Sequence, residues 1–430
     1  MRKALSILLA CGLLCLCACG KAPQKADPQE GITGNYKAAV AAIDSGDYRT
    51  AYDLLKNETN EKSKELLSRF VFVPIKATSV IVRDGVEMHF STELTCDEKG
   101  LPLKLIHMDK GNKTENVYTY DESGRMLKLV STSEGTTDVT DYTYDEKGRL
   151  TRTCRVTDFV SESRTDHGEI INTYTYDEKG NLTEETRTAN YLFTTPTETT
   201  THEEATTVTY RYNDAGKETL KRTTFKDGGW HENASEYRAD GTLYKTYERS
   251  ASLDEVYMDE YDENERLWKS WILPNDEDPY ITLEYTYNEA GQVTKLTRRD
   301  GASYYTYDAN GNLTEESDGV GRTVYTYDGD GNCLTETYLN LLDQVRWERK
   351  YTYDENGWLV SQVYTSAERD TTETTTCTYD ADGNKTTQLY TADGYTQDLS
   401  VDWTLFYYPD EIPEVVAERL YNLSLPPNMA

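Results

Sequence analysis

The 430-residue chain is strongly acidic, with 76 Asp and Glu against 45 Lys and Arg and a formal net charge of −31. Such a surface repels phosphate groups, which argues against nucleic acid or anionic lipid as a partner. There are 35 Tyr but only 7 Phe, and 37% of the residues are hydrophobic, too few for a large core of Leu and Phe. Because Tyr joins an apolar ring to a polar hydroxyl, this composition favours thin sheets whose faces are only half dry.

Residues 1–18 have the pattern of a secretory signal peptide. A basic pair is followed by an apolar run from Ala4 to Ala18, which is too short to cross a bilayer comfortably. The run ends in Leu16–Gly20, which resembles a bacterial lipobox and makes Cys19 the residue that is lipidated. An ordinary signal peptide with a chance cysteine is the alternative. We therefore expect an extracytoplasmic protein whose partner is a bacterial membrane, held through lipid, with residues 19–33 as the tether.

A nine-residue pattern, Tyr-x-Tyr-Asp-x-x-Gly-x-Leu, recurs along the chain, for example at Tyr174–Leu182. The two tyrosines alternate with threonines, as in a strand with one exposed face. Asp177 suits the first position of a type I turn, and Gly180 suits the fourth, where a left-handed residue closes a hairpin. Each copy therefore predicts one β-hairpin. Aligned on the turn position, the copies are Asp97, Asp121, Asp145, Asp177, Asn213, Arg238, Asp262, Asn288, Asp308, Asp328, Asp354 and Asp380.

The spacing of these copies is typical of a repeat architecture. One hairpin buries too few side chains to offset its chain entropy, so neighbouring hairpins must pair edge to edge. We expect a mainly β fold in which residues 70–400 form an elongated, coiled antiparallel sheet of about twelve hairpins, as an open or partly closed spiral. Two long intervals indicate insertions: an extended hairpin at Arg155–Thr173, and either a long edge strand pair or a mobile loop at Thr186–Thr207.

The segment Tyr144–Leu150 reads Tyr-Asp-x-x-Gly-Arg-Leu and resembles the YD repeat of RHS and teneurin proteins, over about Leu94 to Lys385. The resemblance implies hairpins coiled into a spiral sheet, sometimes a closed shell around a toxin, and repeats that are often described as carbohydrate-binding. The chain departs from the pattern at Arg238, which replaces an Asp, and at Glu265, which replaces the Gly. Twelve hairpins are fewer than a large shell uses, so an open or partly curled sheet is expected.

Two amphipathic helices are predicted ahead of the repeats. Apolar residues recur at i, i+3, i+4 and i+7 from Tyr36 and again from Tyr48. Gly46 can end the first helix, Asp47 can cap the second, and a third helix is expected between Glu61 and Arg69.

The ten residues from Gly46 to Leu55 resemble half of a tetratricopeptide unit, but one unit is too few to form a peptide groove. We interpret residues 34–69 as a small helical cap over the first edge of the sheet, because an uncovered edge invites aggregation. A helical module that binds a partner is the alternative. Residues 401–430 are expected to form the opposite cap, from a last strand and a short helix.

The sequence contains no recognisable catalytic motif. There is no HExxH, no Gly-x-Ser-x-Gly elbow, no phosphate loop and no dinucleotide fingerprint. The histidines are scattered, at His89, His107, His167, His202 and His231. We therefore expect a protein that is not an enzyme and has no cofactor.

Two turns deserve comparison with calcium loops. Asp-Gly-Asp-Gly-Asn from Asp328 and Asp-Ala-Asp-Gly-Asn from Asp380 offer several oxygens, as hard cations require. The EF-hand pattern nevertheless fails, because Cys333 and Lys385 stand where Gly is needed. Turn chemistry already explains these residues, so we expect no metal site.

Two tryptophans are the candidate ligand-binding residues. If the alternation holds, Tyr and Leu line one face of the sheet, while Trp268 and Trp358 project from the other. Exposed aromatic rings can stack on sugar rings, although these rings could equally fill the space between coils of the sheet. We hypothesise a non-catalytic adhesion or binding module at the cell surface, for glycan or protein ligands. A structural spacer in the envelope and a remnant of an RHS-type toxin-delivery shell are the alternatives.

Overall fold

The computed structural model describes residues 33–275, 277–408 and 416–417. The described residues divide into two compact units, one comprising residues 33–71 with 405–408, and the other comprising the remaining described residues. The expected signal peptide, Cys19 and most of the expected C-terminal cap lie outside the described residues. No helix in the described ranges has the length and apolarity needed to cross a membrane.

The first unit contains three helices, α1 (Gly34–Asp44), α2 (Tyr48–Leu55) and α3 (Glu61–Leu67). Each begins at a side-chain cap: Thr33, Asp47 and Asn60 accept hydrogen bonds from main-chain N–H groups of the first turn. Their shared core is formed by the buried residues Ala39, Ala51, Leu55, Leu66 and Phe70. The prediction of a small helical segment is confirmed; its role as a cap stays a prediction.

The second unit is built on one antiparallel sheet of 26 strands. The strands, some of whose end residues belong to the first unit, are β1 (Phe70–Arg83), β2 (Val86–Cys96), β3 (Pro102–Asp109), β4 (Asn112–Tyr120), β5 (Met126–Ser133), β6 (Thr136–Tyr144), β7 (Leu150–Val160), β8 (Thr165–Tyr176), β9 (Leu182–Thr194), β10 (Thr199–Tyr212), β11 (Glu218–Phe225), β12 (Trp230–Tyr237), β13 (Leu243–Ser250), β14 (Glu255–Tyr261), β15 (Leu267–Pro274), β16 (Tyr280–Tyr287), β17 (Val293–Arg298), β18 (Gly301–Tyr307), β19 (Leu313–Ser317), β20 (Gly321–Tyr327), β21 (Cys333–Asn340), β22 (Val345–Tyr353), β23 (Leu359–Ser366), β24 (Thr371–Tyr379), β25 (Lys385–Ala392) and β26 (Tyr395–Tyr407).

The sheet is closed, because β1 pairs with β26 as well as with β2. At this seam the Val80 N–H donates to Asp398 Oδ1 over 2.7 Å, and the Asp84 N–H donates to the Gly394 carbonyl over 2.9 Å. The expectation of an open or partly closed spiral is therefore wrong. Strands outside the repeats supply the two edges that meet, and their pairing leaves no row of unpaired main-chain groups.

The two insertions lengthen neighbouring hairpins. Strands β9 and β10 pair over eleven positions, from Thr199 opposite Thr194 to Thr209 opposite Glu184. Both lie inside the sheet, so the second insertion is a strand pair rather than a loop, and it is not at an edge. Few apolar side chains of the described strands are buried, as expected from a composition rich in Tyr and poor in Phe; they include Val73, Leu94, Tyr118, Met258, Leu296 and Val401.

Candidate functional site

An aspartate or asparagine side chain holds eleven of the twelve repeat turns together. In the copy at Asp145, Oδ1 accepts hydrogen bonds from the main-chain N–H groups of Lys147 and Arg149, both over 2.9 Å. Gly148 follows in the left-handed region, with φ +82°. The main-chain N–H of Arg149 contributes most to holding the pKa of the Asp145 carboxyl below its usual value. The turn is therefore held by hydrogen bonds and a backbone conformation of its own residues, without contacts to another hairpin.

The residue after the turn glycine links one hairpin to the next. Arg149 donates from Nε to Asp145 Oδ2 over 2.7 Å, and its guanidinium lies 4.6 Å from the ring centre of Tyr176 in the following hairpin. Where the arginine is replaced, Asn181 keeps the bond to its turn aspartate, Asp177, over 2.9 Å. The recurring Arg-to-Asn change therefore preserves the turn and gives up the stacking contact.

A tyrosine hydroxyl ties nine of the hairpins to the hairpin before them. Tyr176 donates to the main-chain carbonyl of Leu150 over 2.8 Å. This carbonyl lies close to a turn, beyond the residues at which β7 and β8 pair, so the hydroxyl satisfies an acceptor that the ladder leaves open. The same bond recurs from Tyr144 to Met126, Tyr212 to Leu182, Tyr237 to Glu218, Tyr287 to Leu267, Tyr307 to Val293, Tyr327 to Leu313, Tyr353 to Cys333 and Tyr379 to Leu359.

The series of bonds changes where the repeat departs from its pattern. Arg238, in place of the turn aspartate, donates from Nη1 to the Leu243 carbonyl over 2.6 Å and from Nη2 to the Tyr261 carbonyl. Glu265, in place of the turn glycine, has φ +58° and accepts from the Leu243 N–H over 2.5 Å. Arg238 and Glu265 therefore link their two consecutive hairpins through side-chain hydrogen bonds.

The second residue of each returning strand occupies a β-bulge, which we call the bulge position. The register shifts there in all twelve hairpins. Thr is common at this position, and its hydroxyl donates to a carbonyl of the partner strand, as Thr151 does to Thr143 over 3.1 Å. In two consecutive hairpins the position instead holds Tyr244 and Trp268, whose side chains are 39% and 45% exposed.

Tyr244 and Trp268 line one cleft of about 540 Å³, which we call the aromatic cleft. Arg238, Tyr285 and Glu284 also line it. Two ordinary structural features thus coincide here: a departure from the turn sequence and aromatic residues at two successive bulge positions. Sequence analysis identified Trp268 but missed Tyr244, although its place in the repeat, directly after the leucine, was a readable signal.

The charged groups of the aromatic cleft are largely neutralised by one another. Lys269 forms an ion pair with Glu284 at 3.2 Å and lies 4.4 Å from the Trp268 ring centre. Burial opposes ionisation of Asp262, but hydrogen bonds from the side chain and main chain of Arg266 outweigh it and lower its pKa. The arrangement offers flat apolar surfaces beside polar groups without a strong net charge.

Trp358 lies elsewhere in the sheet. Its ring centre is 5.5 Å from that of Tyr379 in the next hairpin. A Cβ atom added at Gly383 would lie 3.0 Å from Trp358 Cζ2. Trp358 therefore takes the place that arginine has in other copies, between successive hairpins, and the structure does not bring it together with Trp268.

The turns once compared with calcium loops use their oxygens within the turn. Asp328 Oδ1 accepts from the N–H groups of Asp330 and Asn332, and Oδ2 accepts from the Asn332 side chain. Over the described ranges no group of three or more His, Cys, Asp or Glu is placed to hold a metal ion.

The sequence model of the family described as RHS Repeat matches residues 307–340. Residues 307–340 therefore match RHS repeats, and we call all twelve turns of the recurring pattern the RHS turns after this segment. The matched residues hold two of the twelve turns, at Asp308 and Asp328. In nine of the other RHS turns, as in these two, the side-chain oxygen of the turn residue accepts a hydrogen bond from the main-chain N–H four residues later: Asp97, Asp121, Asp145, Asp177, Asn213, Asp262, Asn288, Asp354 and Asp380.

Among solved structures, this chain is similar to TcdB2-TccC3, with 12% identity and a TM-score of 0.35, over 75% of this chain and 27% of that one. It is also similar to the Photorhabdus luminescens Tc holotoxin pore, at 13% identity and a TM-score of 0.35, over 83% and 27%. A porin-like protein from Bacteroides uniformis matches with a TM-score of 0.16 and 13% identity, over 59% and 96%. The chain spans about a quarter of the two toxin chains, and at such scores no functional conclusion is drawn. A search of curated proteins finds no match.

Proposed function

We propose that this RHS-repeat protein is a non-catalytic binding module that takes a neutral glycan in the aromatic cleft. The observation that carries the proposal is the pair of exposed rings, Tyr244 and Trp268, at the same position of consecutive hairpins and lining one cleft. Single exposed apolar side chains are common on protein surfaces, but two aromatic rings beside polar groups in a concave site suit the apolar face and hydroxyl rim of a sugar.

The spacing of the two rings sets the size of the ligand. Tyr244 lies on β13 and Trp268 on β15, two strand spacings or about 10 Å apart. A ligand must therefore be longer than one sugar ring to contact both. The near-neutral cleft favours uncharged sugars, and the chain's net charge of −31 disfavours acidic polysaccharides.

We also propose that the module is held at a bacterial membrane through lipid on Cys19. This rests on the lipobox-like residues Leu16–Gly20, which lie outside the described structure. Metabolic labelling with a fatty-acid analogue should mark the natural chain, whereas Cys19→Ser should abolish labelling. Labelling of that variant would contradict the anchor without bearing on the cleft.

The glycan proposal is tested with an array of neutral oligosaccharides probed by residues 20–430. We expect saturable binding to at least one oligosaccharide, lost by at least about tenfold in Trp268→Ala or Tyr244→Ala, since each removes one stacking surface. Leu334→Ala is the matched control, because Leu334 holds the same bulge position, is 36% exposed and does not line the cleft. A blank array, or equal losses in all three variants, contradicts the proposal; capture of a protein ligand through Trp268 would replace it.

A second candidate is an RHS-type shell component, which the closed sheet favours over an open spacer. The pairing of β1 with β26 closes the sheet, whereas the small number of hairpins had led us to expect an open or partly curled one. A shell predicts a polypeptide that copurifies with the natural chain and resists added protease until the sheet is unfolded. Intact-mass analysis that finds the chain alone would reject it.

A further inference from the structure

The turns of the closed sheet lie at its two opposite ends, where the strands begin and finish. Because each strand pairs antiparallel with the next, successive turns alternate between these ends. One end carries the twelve RHS turns, and we call it the repeat edge. The other carries the turns that join one hairpin to the next, and we call it the linker edge.

The two edges differ in exposed apolar side chains. At the repeat edge the two central residues of each turn are polar or small, as in Glu178 and Lys179. Within the described chain, all the large apolar residues that are more than 60% exposed lie at the linker edge, in its turns or directly beside them. They are Val86 (63% exposed), Val160 (62%), Val320 (65%), Leu341 (72%) and Leu342 (75%), and Phe225 (46%) and Leu253 (39%) lie at the same edge.

The side chains of Leu341 and Leu342, the most exposed of these residues, form none of the hydrogen bonds that hold their turn. In the turn after β21, Asn340 Oδ1 accepts from the Leu342 and Gln344 N–H groups, over 2.9 and 3.1 Å, as an RHS turn aspartate does. Asp343 takes the left-handed position of the glycine, with φ +57°. Leu341 and Leu342 fill the central positions that are polar or small in the RHS turns, so their apolar side chains have another use.

Neighbouring residues extend this apolar surface. Asp343 forms an ion pair at 3.0 Å with Arg322, which follows the turn containing Val320. Val345, 48% exposed, comes directly after the leucine turn. Trp347, two residues after Val345 on β22, stacks on Tyr338 of β21 with ring centres 5.8 Å apart. We call Val320, Leu341, Leu342 and Val345 the leucine tip.

We propose that the leucine tip inserts into the interfacial layer of a lipid bilayer made of uncharged or zwitterionic lipid. Leucines that are about three-quarters exposed stand clear of their neighbours and offer no groove to a partner. Four such side chains fall short of the roughly 800 Å² per partner that a stable protein interface buries. Shallow insertion needs only apolar side chains at the end of a projection, backed by Trp and Tyr at headgroup level.

Charge selects the lipid. The net charge of −31 repels an anionic leaflet, so attachment must depend on apolar contact rather than on attraction to headgroups. The further apolar residues along the linker edge, such as Val86 and Val160, suit an extended apolar surface better than a compact ligand. This inference is independent of the glycan site, since the aromatic cleft includes no residue of the leucine tip.

The test is flotation of residues 20–430, which carry no lipid anchor, with phosphatidylcholine vesicles. We expect the protein to float with the vesicles, and partitioning to fall by about a hundredfold in L341E/L342E. The matched control is A309E/N310E, which adds the same two charges at the same two positions of an RHS turn at the repeat edge. It should float like the natural chain. L341S/L342S, which adds no charge, should lose most of the binding as well.

Each result decides the proposal. Because Asn340 holds the turn, the leucine variants should keep the melting temperature of the natural chain, so a loss of flotation without a loss of stability supports insertion. Absence of flotation by the natural chain overturns the proposal, as do equal losses in L341E/L342E and A309E/N310E. A dimer in solution that L341S/L342S dissociates, with no vesicle binding, would assign the leucine tip to a second copy instead.

Discussion

The hydroxyl of Tyr307 donates a hydrogen bond to the main-chain carbonyl of Val293, 14 residues earlier in the chain and in the preceding hairpin, over 2.8 Å. This single bond shows how the repeat builds a sheet. The turn aspartate shapes a hairpin, and the tyrosine directly before the turn of the next hairpin satisfies the carbonyl that the ladder has left open. The final strand continues the series with a different side chain, since Trp403 Nε1 donates to the Lys385 carbonyl over 2.8 Å.

Removal of one such hydroxyl should weaken the sheet measurably. Tyr307→Phe leaves the Val293 carbonyl without its donor, which should lower the free energy of unfolding by about 1–2 kcal/mol. Tyr305→Phe is the control, because it removes a hydroxyl two residues away that is not the donor of this bond, and it should cost less than about 0.5 kcal/mol. Urea unfolding followed by circular dichroism measures both; equal effects would show that the bond does not stabilise the hairpin pair.

The turn aspartates should make stability depend on acid. The main-chain N–H of Arg149, the Arg149 side chain and the main-chain N–H of Lys147 lower the pKa of Asp145 in the folded chain. A lowered folded pKa means that the carboxylate's contribution is fully present above the pKa of the unfolded chain and is lost as the pH falls through the folded value. Natural protein should therefore lose stability between about pH 5 and about pH 2, and Asp145→Asn should lose less over this range.

The comparison is made with the urea midpoint as a function of pH. Glu146→Gln removes the neighbouring carboxyl, which takes no part in these turn bonds, and should keep the dependence of the natural chain. Identical pH profiles for Asp145→Asn and the natural protein would contradict the assigned role of the turn carboxylate.

Turn glycines are required for two separable reasons. Gly241 and Gly383 have φ of +87° and +85°, so alanine is strained at both. At Gly241 an added Cβ meets nothing within 4 Å, whereas at Gly383 it meets Trp358 at 3.0 Å. Gly241→Ala should cost about 1–2 kcal/mol, and Gly383→Ala should cost more. A double-mutant cycle of Gly383→Ala with Trp358→Ala should show coupling; strict additivity would refute the close contact.

Restoration of the repeat at its most divergent turn should destabilise the chain. Arg238→Asp recreates the common turn residue but removes the donors to the Leu243 and Tyr261 carbonyls. We expect a loss of about 1–3 kcal/mol in the free energy of unfolding. Asn213→Asp makes the corresponding change in a turn without such bonds and should be nearly neutral. A stabilised Arg238→Asp variant would show that the arginine serves the cleft at the expense of the fold.

Sequence predicted those parts of the fold that depend on neighbouring residues. The turn at Asp177 could be predicted directly, because Asp at the first position and Gly at the fourth satisfy the turn by themselves. Closure of the sheet could not be predicted from the repeat, because the bond between Val80 and Asp398 joins two strands that lack the repeat pattern. The turn at Asn340 was also missed, since Asn and Asp343 replace the expected Asp and Gly.

The candidate site shows the same division. Trp268 was identified from its residue type, but its pairing with Tyr244 requires the register of four successive strands. The bond from Tyr176 to Leu150 likewise joins residues 26 positions apart in the sequence. Residue type alone does not show which carbonyl accepts such a distant hydrogen bond. Trp358 illustrates the limit of residue type alone, because its indole packs on Tyr379 between hairpins.

Closure of the sheet is tested most directly by a pulsed electron paramagnetic resonance distance between spin labels on Arg83→Cys and Asp393→Cys, with the natural thiols replaced by Ser. These positions flank the bond from the Asp84 N–H to the Gly394 carbonyl. A closed sheet predicts one narrow, short distance, set by backbones about 5 Å apart and the label arms, while a label pair at Arg83 and Asp227 should be far longer. A long or broad distance between Arg83 and Asp393, like that of the second pair, would contradict the closed sheet.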